Sequence, residues 1–281
     1  MKIPNWLILI IFSLVVFDAV VWREIVFSSP AENPEIYFLN VGQGDSELIV
    51  LPNNTKILID AGPNDKIVGE LSRVLSPFDR YVDLVVLSHP ELDHFGGMFE
   101  VFKRYQIGAF ISTGVKKDTK SFAELEKLIE RNKIPEIVLA EGDKIRYRSE
   151  KLEILSPSKE LLGKSANDAA FVIKLVGSKT ALFTADIGEK VEKSLVGKYD
   201  LKSDILKVAH HGSKYSSSKE FLQAVLPKIS VIEVGKNSYG HPTDRVLADL
   251  ASVGSKIFRT DQNGTLKLTF DIPRINIFSL R

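Results

Sequence analysis

Five histidines occur in the 281 residues, and all of them fall in three clusters: His89 with His94, His210 with His211, and His241. None is left for an incidental place on the surface or in a core. The first cluster reads Ser88-His89-Pro90-Glu91-Leu92-Asp93-His94-Phe95-Gly96-Gly97, directly after the apolar run VDLVVL. His89, Glu91, Asp93 and His94 place imidazole and carboxylate donors within a few residues, a set that suits Zn²⁺ or Mn²⁺. Strand-like alternation predicts His89, Glu91 and Asp93 on one side, with a turn bringing His94 round to join them. Asp186 ends a second apolar run, TALFTAD. There a carboxylate can bridge two cations, or it can cap the helix after Ile187. His210-His211-Gly212-Ser213 follows a third run, ILKVA. Adjacent side chains there diverge, so one ring can bind metal while the other faces substrate. The last cluster, Asn237-Ser238-Tyr239-Gly240-His241-Pro242-Thr243, is donor-rich. Tyr239 and His241 can hydrogen-bond an anionic oxygen, or the loop is a polar turn before a helix capped by Thr243.

The elements that deliver these residues alternate. Strand patterns run at 36–41, 47–51, 56–60, 82–88, 107–112, 136–139, 152–155, 169–176, 180–185, 204–209 and 229–234. Helical periodicity appears at 65–75, 97–105, 119–131, 187–197, 218–226 and 243–253. Asn263-Gly264 reads as a hairpin turn inside 256–270. Two polar loops precede the histidines: Gln43, Gly44 and Asp45 in VGQGDS, and Asp60 and Gly62 in LIDAG. Each re-aims backbone near a site, or is an ordinary β-turn. Asn167-Asp168 precedes a further strand and can be a plain turn.

Composition is that of a folded protein. The chain is 44% hydrophobic and 26% charged, with net charge +1, so neither disorder nor a generally basic nucleic-acid binder is indicated. The absence of Cys excludes disulfides, thiolate metal sites and a thiol nucleophile. Residues 6–22, WLILIIFSLVVFDAVVW, carry one charge, Asp18, between Trp6 and Trp22. As a helix this run spans roughly 26 Å, the short end of what a bilayer requires. It predicts a single-pass membrane anchor over residues 1–29, a linker at 30–35 and a folded domain at 36–281. A cleaved signal peptide is the competing reading, but the small-residue match Ser29-Pro30-Ala31 lies far from the apolar run. Lys2 precedes the run, and after Arg23 no Lys or Arg occurs before Lys56. That asymmetry predicts an extracytoplasmic domain on a cell-membrane anchor.

Taken in order, VGQGDS (41–46), LIDAG (58–62), LSHPELDHFGG (87–97), NDAAFVIKL (167–175), LFTADIGE (182–189), LKVAHHGSKYSSS (206–218) and VGKNSYGHP (234–242) resemble the metallo-β-lactamase superfamily. Within it they resemble the hydrolase domain of the ComEC competence proteins. The resemblance implies a four-layer αβ/βα sandwich behind one transmembrane helix, and a hydrolase with two divalent metal ions, Zn²⁺ or Mn²⁺. It implies His89 and Glu91 on one metal, Asp93 and His94 on the other, Asp186 between them, and one of His210 and His211 completing the second site. Asp93 would orient the nucleophile. Asn167, Ser213, Asn237, Tyr239 and His241 would meet the substrate, a phosphodiester such as DNA, with His241 stabilising its charge. Glu91 departs from the superfamily's usual second His and makes its site more oxygen-rich. Ala185 stands where Gly is usual. The expectation is an extracytoplasmic nuclease. The alternatives are a cell-envelope phosphodiesterase, a β-lactam or lactone hydrolase, and a non-catalytic anchored binding module. No feature predicts a protein partner, and the chain reads as a monomer.

Overall fold

The computed structural model describes residues 4–27, 33–271 and 274–280. The first half of the expected linker, 30–32, and the weak cleavage match at 29–31 lie outside the described residues. The first element is helix α1 (Asn5–Phe27), 23 residues long. Every side chain described in it, through Trp22, is exposed, so none of the described side chains packs on the domain. A helix that is apolar all round, with no buried face, is a candidate membrane span by length and composition.

The domain is built on two sheets. One contains β1 (Glu35–Phe38), β2 (Glu47–Leu51), β3 (Thr55–Ile59), β4 (Tyr81–Val86), β5 (Gln106–Ser112) and β6 (Glu136–Val138). The other contains β7 (Lys144–Tyr147), β8 (Glu150–Ser156), β9 (Val172–Val176), β10 (Thr180–Phe183), β11 (Ile205–Lys207), β12 (Ile229–Ile232) and β13 (Lys256–Arg259). The chain then returns to the first sheet with β14 (Thr265–Asp271) and β15 (Arg274–Leu280), giving the order β15-β14-β1-β2-β3-β4-β5-β6 against β13-β12-β11-β10-β9-β8-β7.

Alternation along each strand makes the layers. On β1 and β3, Ile36, Phe38, Ile57 and Ile59 point into a core between the sheets, where they meet Ile173, Phe183, Ile205 and Val231. Tyr37 and Leu58 point the other way, into a core under α2 (Lys66–Val74), α4 (Met98–Arg104) and α5 (Lys120–Arg131). A third core lies between the second sheet and α6 (Glu189–Leu195), α7 (Lys219–Val225) and α8 (Asp244–Ser252). Three separate cores between four layers is the expected sandwich. Each fully buried Leu, Ile or Phe contributes about 1.5–3 kcal/mol.

Strands β3 to β6 are parallel to one another, and so are β10 to β13. Their carboxyl ends therefore deliver loops to one edge, where ligands gather in α/β folds. The hairpin expected at Asn263-Gly264 is not formed. β13 pairs with β12 in one sheet, β14 with β1 in the other, and a single turn, α9 (Thr260–Asn263), carries the chain across. Asn-Gly ends that turn, with Gly264 at φ +74°. The hairpin lies one step later, between β14 and β15.

Candidate metal centre

The loop after β4 supplies the first residues. It bends at Ser88 to Pro90 and enters the one-turn helix α3 (Leu92–Phe95). The strand alternation predicted through Asp93 therefore stops early. His89 and His94 are buried with their ring centres 4.1 Å apart, whereas Glu91 lies at the start of α3 and pairs with Lys117. Two glycine positions let this loop sit tight. A Cβ on Gly44 would lie 2.3 Å from the Asp93 carbonyl oxygen, and one on Gly97 2.1 Å from that of Ala61. A side chain at either would displace the ligand-bearing turn.

The opposite wall comes from β10 and β11. Asp186 is buried and caps no helix; α6 starts at Glu189 behind Gly188. His210 and His211 both hold left-handed backbone, with φ +50° and +53°. Asp60 and Ala185 also sit at positive φ, +55° and +43°. Four non-glycine residues in this region at ligand-bearing bends mark strain stored at a site, of order 1–3 kcal/mol each. The conformation of Ala185 also explains why glycine suits that position.

Four donors converge. One ligand atom from each of Asp93, His94, Asp186 and His211 lies within 4.8 Å of the others. Asp186 Oδ2 is 3.5 Å from His94 Nε2, 3.6 Å from His211 Nε2 and 3.7 Å from His210 Nε2; Asp93 Oδ2 is 3.5 Å from His211 Nε2. His211 is thus the member of its pair inside the group. His210 turns its ring toward His241, 5.7 Å away edge to face.

Each buried ring is fixed from behind. His94 Nδ1 donates to Asp60 Oδ2 at 2.7 Å. Ser88 donates from N and Oγ to the same carboxylate, at 2.8 and 2.5 Å, and its Oγ lies 3.0 Å from His89 Nδ1. His211 Nδ1 donates to the Glu233 carbonyl at 2.8 Å, with Asp45 Oδ1 3.3 Å away. These contacts leave Nε2 of His89, His94 and His211, and Oδ1 of Asp186, buried without a hydrogen-bond partner. Leaving such atoms unsatisfied costs about 1–3 kcal/mol each. A divalent cation satisfies them, so the donor set fits a metal, and fixing Nδ1 selects the tautomer that offers Nε2.

The electrostatics agree. Burial pulls His94 and His211 down, but facing carboxylates overcome it. Asp60 and Asp186 hold His94 well above its usual range, and Asp186 and Asp45 lift His211 to about 10. Burial pushes Asp186 up, and the two cationic rings outweigh it and hold it well below the carboxylate range. The rings carry the positive charge that a cation would otherwise bring. On His89, burial and then the His94 charge outweigh the pull of Asp186, Asp93 and Asp45 and push it down to about 3.

The remaining expected residues ring the group or support it. His241 is half-buried, its Nδ1 without a partner, and Tyr239, 74% exposed, leans against it with ring centres 5.7 Å apart. Asn237 is committed to its own loop. Its amide donates to the Gly235 and His241 carbonyls and accepts from the Tyr239 and His241 amides. Ser213 is buried, and its Oγ accepts from Tyr215 N. Asn167 sits in the turn before β9, which is tied to the site through Phe171 N and the Ser88 carbonyl; no contact brings its side chain to the donors. Gln43 accepts from Gly235 N and joins the loops of the two halves, and Gly62 N donates to the Asp45 carbonyl. Thr243 precedes α8, but its hydroxyl donates to the Gly212 carbonyl rather than capping the helix.

Comparison with known proteins agrees with this geometry. The metallo-beta-lactamase superfamily profile matches residues 39–235. The chain belongs to that superfamily. It is 28% identical over 268 residues to ComE operon protein 3 of Bacillus subtilis, covering 88% of this chain and 34% of that protein. It is 31% identical over 243 residues to competence protein ComA of Neisseria gonorrhoeae, covering 85% of this chain and 32% of that protein. The chain thus spans about a third of the length of these relatives. Among solved structures, YhfI of Bacillus subtilis, a metallo-beta-lactamase fold protein, superposes with a TM-score of 0.58 at 12% identity, covering 84% of this chain and all of that one. The resemblance to ComEC-type competence proteins and the sandwich fold are both found.

Sequence reading missed four residues around the donors: Ser88 as the link between Asp60 and His89, and the buried Lys207, Glu47 and Glu233. A signal existed for the last three. Each is a lone charge inside or beside an apolar strand, as in ILKVA and SELIVL.

Proposed function

We propose that this chain is a membrane-anchored, dinuclear metal-dependent phosphodiesterase whose natural substrate is DNA, and that its domain lies outside the cytoplasm. The observation that carries the reading is the convergence of Asp93, His94, Asp186 and His211, beside a wall of His210, His241 and Tyr239 that leads outward to solvent. Asp93, His94, Asp186 and His211 would hold one ion. His89 and Asp186, with Glu91 once released from Lys117, would hold the other. Bound divalent ions supply Lewis acidity and a water acidic enough to attack near neutral pH.

The chain's own residues do the rest. Asp93, more exposed than Asp186, accepts a hydrogen bond from the attacking water and orients it. Burial, then the neighbouring His210 and His211 charges, hold His241 below its usual range. A neutral ring donates a hydrogen bond to a phosphate oxygen and steadies charge as it develops. Asn237 acts through His241, by fixing its loop, rather than on substrate. Tyr239 and Tyr215, both largely exposed on site loops, offer faces for nucleobases.

The net charge of +1 favours a second reading, a phosphodiesterase of the cell envelope, because a nuclease gains affinity from cationic grooves. The test is full-length protein reconstituted with Zn²⁺ or Mn²⁺ and assayed on single-stranded DNA, duplex DNA and a bis-aryl phosphodiester. Cleavage of DNA supports the nuclease. Turnover of the small ester alone supports the envelope enzyme. Metal binding without turnover of any of the three overturns both.

A further inference from the structure

Beneath the metal centre lies a second group of charges, and its centre is a lysine. Lys207, on β11, is completely buried. Its ammonium pairs with Asp45, donates to the Ala185 carbonyl at 3.1 Å and stands 4.0 Å from Asp186 Oδ1. One oxygen from each of Asp45, Glu47 and Glu233 lies within 4.8 Å of the others, and all three residues are buried. Glu47 Oε2 and Glu233 Oε2 have no hydrogen-bond partner. An all-carboxylate group of this size suits a hard, oxygen-seeking cation. Here an ammonium from the chain itself already occupies the neighbourhood.

The group also joins the two halves of the sandwich. Asp45 and Glu47 belong to the first sheet and its loop, Lys207 and Glu233 to the second, and Ser46 N donates to Glu233 Oε1 at 3.1 Å. The metal donors divide the same way: His94 and Asp93 come from the first half, Asp186 and His211 from the second. Asp45 reaches both sets, 3.3 Å from His211 Nδ1 and 3.8 Å from His94 Nδ1. Lys207 therefore sets Asp45 behind two ligand rings while facing the free oxygen of Asp186.

We propose that Lys207 is the permanent cation of a third ion pocket, a charge supplied by the chain where a divalent ion would otherwise bind, and that it is the positioning residue linking the two ligand-bearing halves. The proposal goes beyond the phosphodiesterase reading and holds for any substrate. Lys207→Ala removes the ammonium among Asp45, Glu47 and Glu233, leaves the His211 and His94 rings as counter-charges on the Asp45 side alone, and opens space among the three carboxyl groups. The pocket should then take a divalent ion from solution.

The experiment uses full-length protein with Mn²⁺ as the probe. Bound Mn²⁺ per chain is counted by elemental analysis, and thermal melting is followed across an Mn²⁺ titration. Lys207→Ala should bind one more Mn²⁺ than the wild type, and its melting temperature should rise more steeply with Mn²⁺. Lys207→Ala combined with Asp45→Asn should bind no additional ion, because a carboxylate of the pocket is gone. A merely space-filling lysine moves stability but not the ion count. Any result in which Lys207→Ala gains no ion, whether it folds or not, overturns the proposal. A wild type that binds no Mn²⁺ would instead sink the metal centre, and the extra ion of the variant would still be measurable against that zero.

Discussion

Asp60 stands outside the group formed by Asp93, His94, Asp186 and His211, behind the His94 ring, yet its loss should weaken metal binding there. Its carboxylate accepts three hydrogen bonds: His94 Nδ1 at 2.7 Å, and Ser88 Oγ and N at 2.5 and 2.8 Å. Asp60→Asn keeps the shape but offers one accepting oxygen and one NH₂. If the oxygen keeps Ser88 N, the NH₂ faces His94 Nδ1 and forces that nitrogen to accept. The ring proton then moves to Nε2, the atom that must offer its lone pair to the metal. If the amide flips, the NH₂ faces the Ser88 N–H and leaves two donors opposed in a buried site, at a cost of about 1–3 kcal/mol. Losing the group behind a ligating His costs about 10–100-fold in metal affinity, or roughly 1.4–2.7 kcal/mol at about 1.4 kcal/mol per decade. The assay is competition with a coloured chelator for Zn²⁺, with near-ultraviolet circular dichroism to verify folding. Ser88→Ala is the graded comparison: it removes one of the three bonds, leaves the His94 contact intact, and should cost less than Asp60→Asn. A folded Asp60→Asn variant with wild-type affinity would refute the argument that this carboxylate fixes the tautomer.

Three further outcomes are expected. His94→Ala should lose bound metal by elemental analysis, whereas His241→Ala should keep it and lose about 10²-fold or more in turnover, the scale of one lost charge-stabilising donor; metal loss in the second would move His241 among the ligands. Metal affinity, measured by competition at a series of pH values, should rise with pH, because a cation must displace the protons that Asp60 and Asp186 hold on His94 and that Asp186 and Asp45 hold on His211 up to about 10; a flat profile from pH 6 to 9 would contradict the cationic rings. The sign for stability is the reverse: a histidine whose folded pKa is raised adds stability below about 6.5 and loses it as pH rises through about 10, so the metal-free domain should melt lower at high pH. Removal of residues 1–29 should leave a soluble domain with an unchanged melting temperature, since no described side chain of α1 is buried; unfolding on truncation would make it a core helix.

Much of the site can be read from the chain because its signals are local. His89, Asp93 and His94 lie within one turn's reach, and apolar runs with period-two alternation fix which strands precede them and which side chains enter a core. The uninterrupted apolar stretch of α1 is equally local. Alternation alone misplaced Glu91, however: once the backbone bends at Pro90 and starts α3, position no longer follows the strand period, and Lys117 supplies a nearby counter-charge.

What the linear order leaves open is which distant pieces meet. The choice of His211 over His210 follows from two consecutive left-handed residues that aim one ring inward and the other toward His241. Asp60 gains its role 34 residues from His94, and Asp45 meets Lys207 across 162 residues. Asn263-Gly264 carries the chain between sheets instead of turning a hairpin, because the strand before it finds its partner in one sheet and the strand after it in the other. Residue types and spacing set the donors and the layers. Packing the two sheets face to face decided which donors converge and which charges stand behind them, because those contacts are fixed by the buried apolar cores and not by separation along the chain.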